Sequence, residues 1–180
     1  MSINQDSLLI THVQPEAKLV PWLLHQGSLT EKLKHHTGQA DLAVLAMGWR
    51  LPAWWDQFVL NIRYQPVYHR EILMYSQAMP YWYARTIIPE QCYFLEPHFF
   101  NRLQHESLAN LIFDEPKVKR VQFFHYPIGV NCIETYWLPE TLSLNIHDVF
   151  WVRLAHFSFM QQASFFLCEI LFTENIRQIK

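Results

Sequence analysis

Two long apolar segments near the C-terminus are separated by only three residues. Residues 149–159 and 163–172 are rich in aromatic and aliphatic side chains, and residues 160–162 lie between them. Each segment has the length and composition of a buried strand. Three residues suffice for a hairpin turn but not for a crossover helix, so the two strands are predicted to pair antiparallel.

The same pattern extends over most of the chain. Further strands are predicted at residues 40–49, 70–76, 81–88 and 118–126, with 132–138 as an extra strand or an extension. Helical patterns occur at residues 18–25, 28–37 and 89–112. Hairpin-linked strands with helices at the start and in the middle predict an α+β fold rather than alternating βαβ units. We expect one domain, residues 1–180, with a roughly six-stranded, largely antiparallel sheet and helices packed against it.

Two serines mark the starts of helices. Ser28 and Glu31 form a capping-box pattern, and Gly38 is a natural end for that helix. Ser107 is a second candidate N-cap within the middle helical region.

Composition excludes several classes of protein. With 51% hydrophobic residues and a formal net charge of −2, the 180-residue chain has no basic surface for nucleic acid. No apolar stretch is long enough for a transmembrane helix, and the first residues lack a secretory pattern. Three widely spaced cysteines are typical of reduced thiols. We therefore expect a cytoplasmic protein without an integral membrane segment.

Common cofactor and metal motifs are also missing from the sequence. The chain has four glycines and no phosphate-binding loop, and no Gly-x-Ser-x-Gly motif. His105 and Glu106 begin like a zinc-protease motif, but Ala109 stands where the second histidine is required. We expect neither a metal nor a cofactor.

Three of the charges within the predicted strands are candidate site residues. Arg70 shares a strand face with Ile72 and Met74, while Arg85 and Glu169 lie in the strands at 81–88 and 163–172. Structural ion pairs are one interpretation. The other is that Arg70 and Glu169 project into one apolar pocket, where they bind a ligand with a carboxylate at one end and a hydroxyl at the other.

Several short stretches together resemble one enzyme family. They are His69-Arg70-Glu71-Ile72-Leu73, the segment 80–89 ending in Arg85-Thr86-Ile87-Ile88-Pro89, Trp22-Leu23-Leu24 with Ser28-Leu29-Thr30, Ser107-Leu108, and the last strand with Glu169. In this order they resemble the bacterial chorismate pyruvate-lyases (4-hydroxybenzoate synthetases), over residues 18–172.

The resemblance implies a function and a site. The family eliminates pyruvate from chorismate to give 4-hydroxybenzoate for ubiquinone biosynthesis, without a cofactor, and a monomer is expected. Carried over to this chain, the ligand contacts are Leu29, Arg70, Leu108 and Glu169, with Arg70 and Glu169 catalytic. Because both leucines follow a capping serine, their backbone amides are the expected contacts. Arg85 is a further candidate, for the enolpyruvyl carboxylate.

The chain also departs from the family pattern. Leu29 stands where methionine is usual, Ala84 stands where glycine is usual, and residues 151–155 read Trp-Val-Arg-Leu-Ala instead of Trp-Gly/Ala-Arg-Arg-Ser. Two alternatives therefore stay open. One is a non-catalytic, effector-sensing module of the same fold that binds aromatic acids, and the other is an unrelated structural role.

Overall fold

In the computed structural model, which describes residues 2–8, 13–142 and 144–179, six strands form one sheet. The strands are β1 (Asp41–Arg50), β2 (Val67–Ser76), β3 (Met79–Pro89), β4 (Val118–Gly129), β5 (Val149–Phe159) and β6 (Ala163–Leu171). The helices are α1 (Val20–Leu23), α2 (Leu29–Thr37), α3 (Trp54–Val59), α4 (Glu90–Tyr93), α5 (Pro97–Asn101), α6 (Leu108–Ile112) and α7 (Thr173–Arg177). Short 3-10 helices lie at Gln5–Ser7, Arg102–Gln104 and Ile133–Trp137.

The strand order is β1-β2-β3-β6-β5-β4, and every neighbouring pair is antiparallel. Strands β3 and β6 are the central pair, although about 80 residues separate them in the sequence. This architecture confirms the predicted α+β fold with a six-stranded antiparallel sheet.

Two tight hairpins connect the strands as expected. The β2–β3 turn has Gln77 and Ala78 at φ 51° and 64°, and the β5–β6 turn has Met160 and Gln161 at φ 52° and 59°. Left-handed backbone at these positions matches the twist of the flanking strands, although none of the four is a glycine.

Both predicted helix caps are confirmed. The Ser28 hydroxyl accepts a hydrogen bond from the Glu31 amide at 3.1 Å, and helix α2 ends at Gly38 with φ 85°. The Ser107 hydroxyl accepts from the Asn110 amide at 3.2 Å and starts α6. These caps fix where the first residues of α2 and α6 lie above the sheet.

The sheet has two differently covered faces. One, here called the core face, packs Leu73, Tyr83 and Ile170 against Trp55 and other apolar residues around α3. The other, the cavity face, is covered by α1 and α2 at its β2–β3 side and by α5 and α6 at its β5 side. A cavity lies beneath α2 and α6.

The expected extra strand at residues 132–138 is wrong. Residues Ile133–Trp137 form a 3-10 helix, in which the Thr135 hydroxyl lies 2.7 Å from the Cys132 carbonyl oxygen. This turn brings the buried Glu134 carboxylate to Trp55 and Tyr126, which donate hydrogen bonds of 3.2 and 3.1 Å. Such side-chain bonds compete with strand formation and are not visible in a local apolar pattern.

Candidate functional site

The cavity is bounded by the sheet and by the first turns of α2 and α6. Its polar or charged lining residues are Thr30, Arg70, Thr86, Ser107, Arg120, Arg153 and Glu169. Its walls are otherwise mostly aliphatic and aromatic, including Leu29, Ile72, Trp82, Leu108, Phe123 and Phe157. Apolar walls with a few convergent charges are typical of a small-molecule site.

Arg70 lies on β2 and is 3% exposed. Its Nη2 donates a hydrogen bond of 3.1 Å to the Glu106 carbonyl oxygen just before α6, while Nε has no hydrogen-bond partner. No ion pair within the described part of the chain involves Arg70. Burial lowers the pKa of Arg70 below its ordinary value, but an arginine stays charged in proteins. A buried cation with spare donors can bind an anion.

Glu169 lies on β6, between Ala84 of β3 and Arg153 of β5. Its Oε2 is 3.3 Å from Arg153 Nη1. Burial raises the pKa of Glu169, and the guanidinium groups of Arg153 and Arg120 act against that rise. The carboxyl group is therefore held in the cavity beside a cationic neighbour that favours its ionised form.

Leu29 and Leu108 also line the cavity, each as the first residue of its capped helix. The N–H groups of the first helical residues have no partner within the helix. The cavity thus brings together four of the residues selected from the sequence, namely Leu29, Arg70, Leu108 and Glu169.

Arg85 does not join them, which corrects the expectation that it meets the same ligand. Its neighbours Ala84 and Thr86 line the cavity, and strand alternation sends Arg85 to the core face. There its Nε donates to His69 Nε2 at 3.0 Å, and Nη2 lies 3.4 Å from Asp56. The guanidinium also stacks on Trp137, with 3.9 Å from Cζ to the ring centroid. These contacts identify Arg85 as part of a structural ion pair with Asp56.

Two cavity arginines were not selected from the sequence, Arg120 and Arg153. Arg153 is 3% exposed and donates from Nη2 to the His25 carbonyl oxygen at 2.8 Å. A charge within an apolar strand is the signal that identified Arg70, and the same signal marks Arg153 in 149–159. Strand alternation alone would place Arg120 and Phe123 on opposite faces of β4. A β-bulge between Arg120 and Gln122 changes this alternation, so both residues line the cavity. The bulge is not visible in the sequence, and Arg120 therefore carries no comparable signal.

Other kinds of site find little support in the residues that the structure describes. They contain no group of three or more histidine, cysteine, aspartate or glutamate side chains placed to hold a metal ion. Within the same residues, no helix is long and apolar enough to cross a membrane. The cavity instead suits a small acid, because it combines cationic side chains, a carboxyl group and apolar walls.

Comparison with known proteins points to one family. The model of the chorismate lyase family matches residues 5–177. A relative from Shewanella amazonensis is 29% identical over 149 residues, covering 79% of this chain and 73% of its own. A second, from Shewanella sp. (strain MR-4), is 26% identical over 153 residues, covering 84% and 77%. Both carry the name "Probable chorismate pyruvate-lyase".

Solved structures share the fold at low sequence identity. PhnF from Mycobacterium smegmatis superposes with a TM-score of 0.60 at 15% identity, over 84% of this chain and 66% of that chain. A GntR-family transcriptional regulator from Bacillus cereus gives a TM-score of 0.56 at 12% identity, over 75% and 92%. At these identities the likeness concerns the fold alone.

Proposed function

The chain belongs to the chorismate lyase family, and from this premise we propose that it is a chorismate pyruvate-lyase. It would eliminate pyruvate from chorismate and release 4-hydroxybenzoate. The observation that carries this proposal is that Arg70 and Glu169 line one apolar cavity from strands β2 and β6, with β3 between them. Two strand spacings, with an offset of two residues along the strands, place their backbones about 12 Å apart, which leaves room for one ring between the side chains.

In this proposal the ring carboxylate binds at Arg70. The planar guanidinium suits a carboxylate, and its Nε has no partner within the protein. The free amides at the starts of α2 and α6 supply further donors beside Leu29 and Leu108. Because α6 has only five residues, we assign it an amide contact rather than a substantial helix dipole.

Glu169 is proposed to accept a hydrogen bond from the ring hydroxyl. That hydroxyl and the departing hydrogen share one ring carbon, so the same carboxylate is also the nearest candidate to receive the proton.

The reaction balances without an external oxidant or reductant. The ring loses a proton from the hydroxyl-bearing carbon, and the adjacent carbon–oxygen bond breaks with its electron pair going to the departing enolate. Protonation of that enolate on carbon gives pyruvate, and the ring becomes aromatic. Since aromatisation drives the step, the protein mainly orients the substrate and stabilises the moving charge.

The test is pyruvate release from chorismate by the purified chain, followed by a coupled dehydrogenase assay. We expect turnover by the wild type and a loss of about a hundredfold or more in kcat/KM for Arg70→Ala, since a charged donor is removed. The exposed Arg63→Ala is the control and should keep wild-type activity. Wild-type-like turnover by Arg70→Ala would overturn the assignment of Arg70.

A second candidate function rests on the fold likeness to transcriptional regulators. A non-catalytic sensor would bind 4-hydroxybenzoate or a similar acid without transforming it. Saturable binding of 4-hydroxybenzoate by a wild-type chain that releases no pyruvate would favour this candidate over the lyase.

We also propose that the enzyme is a cytoplasmic monomer whose product serves ubiquinone biosynthesis. Free thiols at Cys92, Cys132 and Cys168 suit a reducing compartment. Light scattering after gel filtration should give a mass near 21.6 kDa, whereas twice that mass would contradict the monomer.

A further inference from the structure

Charge in the cavity is unbalanced. Its charged lining residues are Arg70, Arg120, Arg153 and Glu169, so three guanidinium groups face one carboxylate. Two positive charges are left without a counter-charge among the lining residues. A single ligand carboxylate, of the kind that 4-hydroxybenzoate carries, would neutralise only one of them.

The strand order sets these charges out in a row. Arg70 is on β2, Glu169 on β6, Arg153 on β5 and Arg120 on β4, in the order β2-β3-β6-β5-β4. Neighbouring strands are about 4.8 Å apart. Arg70 and Arg120 therefore lie two strands from Glu169 on opposite sides. Strand pairing places Arg70 level with Leu167 and Arg120 level with Phe165, so both are also displaced along the strands from Glu169. The two uncompensated charges lie at separate ends of the cavity.

Arg153, beside Glu169, has spare donors, and Arg120 lies close to it. Arg153 is 3% exposed, and neither its Nε nor its Nη1 has a hydrogen-bond partner, although Nη1 forms the ion pair with Glu169. Arg120 is half-buried and donates from Nη2 to the Gln26 carbonyl oxygen at 3.0 Å. Both guanidinium groups stack on Phe123, with Cζ 4.8 Å (Arg120) and 5.1 Å (Arg153) from the ring centroid. They are thus gathered at one place.

We infer that Arg153 and Arg120 form a second carboxylate subsite, which binds the enolpyruvyl carboxylate of chorismate. This inference rests on the proposed function. In chorismate the enolpyruvyl ether is on the carbon next to the hydroxyl-bearing carbon. A ring held with its carboxylate at Arg70 and its hydroxyl at Glu169 therefore directs the second carboxylate towards Arg153 and Arg120. Arg153 and Arg120 thus take the place of Arg85 as the proposed partners of the enolpyruvyl carboxylate.

The subsite has a chemical consequence. Chorismate carries two carboxylates and 4-hydroxybenzoate carries one, so only the substrate occupies both ends of the row. The departing enolpyruvate stays next to Arg153 and Arg120 while negative charge develops on its oxygen. The two arginines thereby favour the dianionic substrate over the monoanionic product and stabilise the leaving group.

The test compares ligands that differ by one carboxylate. Arg120→Gln is the main variant, because Arg120 is half-buried and can be replaced without leaving a buried charge unpaired. Lys119→Gln removes the same charge from the preceding, exposed position of β4 and is the matched control. Calorimetric Kd values are measured for 4-hydroxybenzoate and for 3-(carboxymethoxy)-4-hydroxybenzoate, a stable aromatic ligand that carries the second carboxylate through an ether. KM and kcat for chorismate come from pyruvate release.

We expect Arg120→Gln to raise KM for chorismate, and Kd for the two-carboxylate ligand, by about tenfold or more, the loss of one charged hydrogen bond. Kd for 4-hydroxybenzoate should change by less than about threefold, and Arg120→Lys should recover part of the loss. Lys119→Gln should match the wild type. Arg153→Lys, which keeps a charge beside Glu169 but loses the guanidinium fork, should change binding in the same direction as Arg120→Gln.

Equal losses for both ligands, or no loss for either, would overturn the subsite. Its failure can be told apart from failure of the proposed function. If Arg120→Gln turns over chorismate with an unchanged KM, the lyase function is supported and the subsite is contradicted. If the wild type does not turn over chorismate but binds the two-carboxylate ligand in an Arg120-dependent way, the lyase function is contradicted and the subsite is supported.

Discussion

Arg153 and Glu169 face each other across the antiparallel strands β5 and β6, with Nη1 3.3 Å from Oε2. Both side chains are largely buried, at 3% and 13% exposure. The pair therefore holds the proposed hydroxyl acceptor in place, and the Arg153 charge acts against the rise that burial causes in the pKa of Glu169. Replacing either residue by an uncharged one leaves the other as a buried charge without its partner.

A double-mutant cycle tests this coupling. We expect Arg153→Met and Glu169→Gln each to lower the free energy of unfolding by about 3 kcal/mol, because each leaves one partner unpaired. The double variant should lose clearly less than the two single losses combined, as measured by urea unfolding. The exposed pair Lys117–Glu96 is the control and should show a smaller coupling, since solvent screens it. If the losses in unfolding free energy for Arg153→Met and Glu169→Gln are additive, the two residues are not coupled.

The burial of His69 predicts that the folded protein loses stability as the pH falls. It is fully buried on the core face, where burial, followed by Arg85 and Arg50, lowers its pKa from 6.5 to about 2. Between those two values the unfolded chain binds a proton at His69 and the folded chain does not. The contribution of His69 is therefore present above pH 6.5 and is lost as the pH falls.

The measurement compares urea unfolding at pH 6.5 and pH 5.5. His69 should account for a loss of about 1 kcal/mol over this interval, and His69→Gln should lose correspondingly less than the wild type. The neighbouring Asp56, whose pKa is raised by burial, acts in the opposite direction. An unchanged slope in His69→Gln would show that His69 titrates normally in the folded state.

Replacing Leu29 by proline separates its amide from its side chain. Proline is tolerated at the first position of a helix, and Ser28 before it has φ −69° and ψ 119°, which suits a residue preceding proline. Leu29→Pro therefore removes the N–H while keeping α2, and Leu29→Ala removes the side chain while keeping the N–H. We expect Leu29→Pro to bind 4-hydroxybenzoate about tenfold more weakly than Leu29→Ala in calorimetry. Circular dichroism checks that the helix persists. Equal affinities of the two variants would exclude the amide contact.

Ala78→Gly should stabilise the fold. Ala78 has φ 64° in the two-residue turn between β2 and β3, a conformation that glycine adopts without a steric cost. We expect the free energy of unfolding to rise by about 0.5–1 kcal/mol and Tm to rise with it. Ala43→Gly, in the extended strand β1, is the control and should be destabilising. A fall in Tm for Ala78→Gly would mean that the turn adopts another conformation.

Much of the architecture was predictable because its signals are local. The apolar segments, the short turns and the capping serines Ser28 and Ser107 each act over a few residues, and the structure confirms them. The segment 132–138 was wrongly predicted as a strand because it folds into a turn in which the Glu134 carboxylate accepts hydrogen bonds from the distant Trp55 and from Tyr126. A local apolar pattern carries no information about such partners.

The sequence by itself determined the six strands of the sheet and the two helices capped by Ser28 and Ser107, and it identified Arg70 and Glu169 as charges that an apolar strand does not require. Only the tertiary structure decided which charges share a cavity. Register and alternation turn Arg85 to the core face, while the pairing of β5 with β6 brings Arg153 to Glu169, and a bulge in β4 adds Arg120. The physical reason is that a shift of one residue moves a side chain to the opposite face of a sheet. Strand register is set by packing over the whole sheet and not by neighbours in the chain.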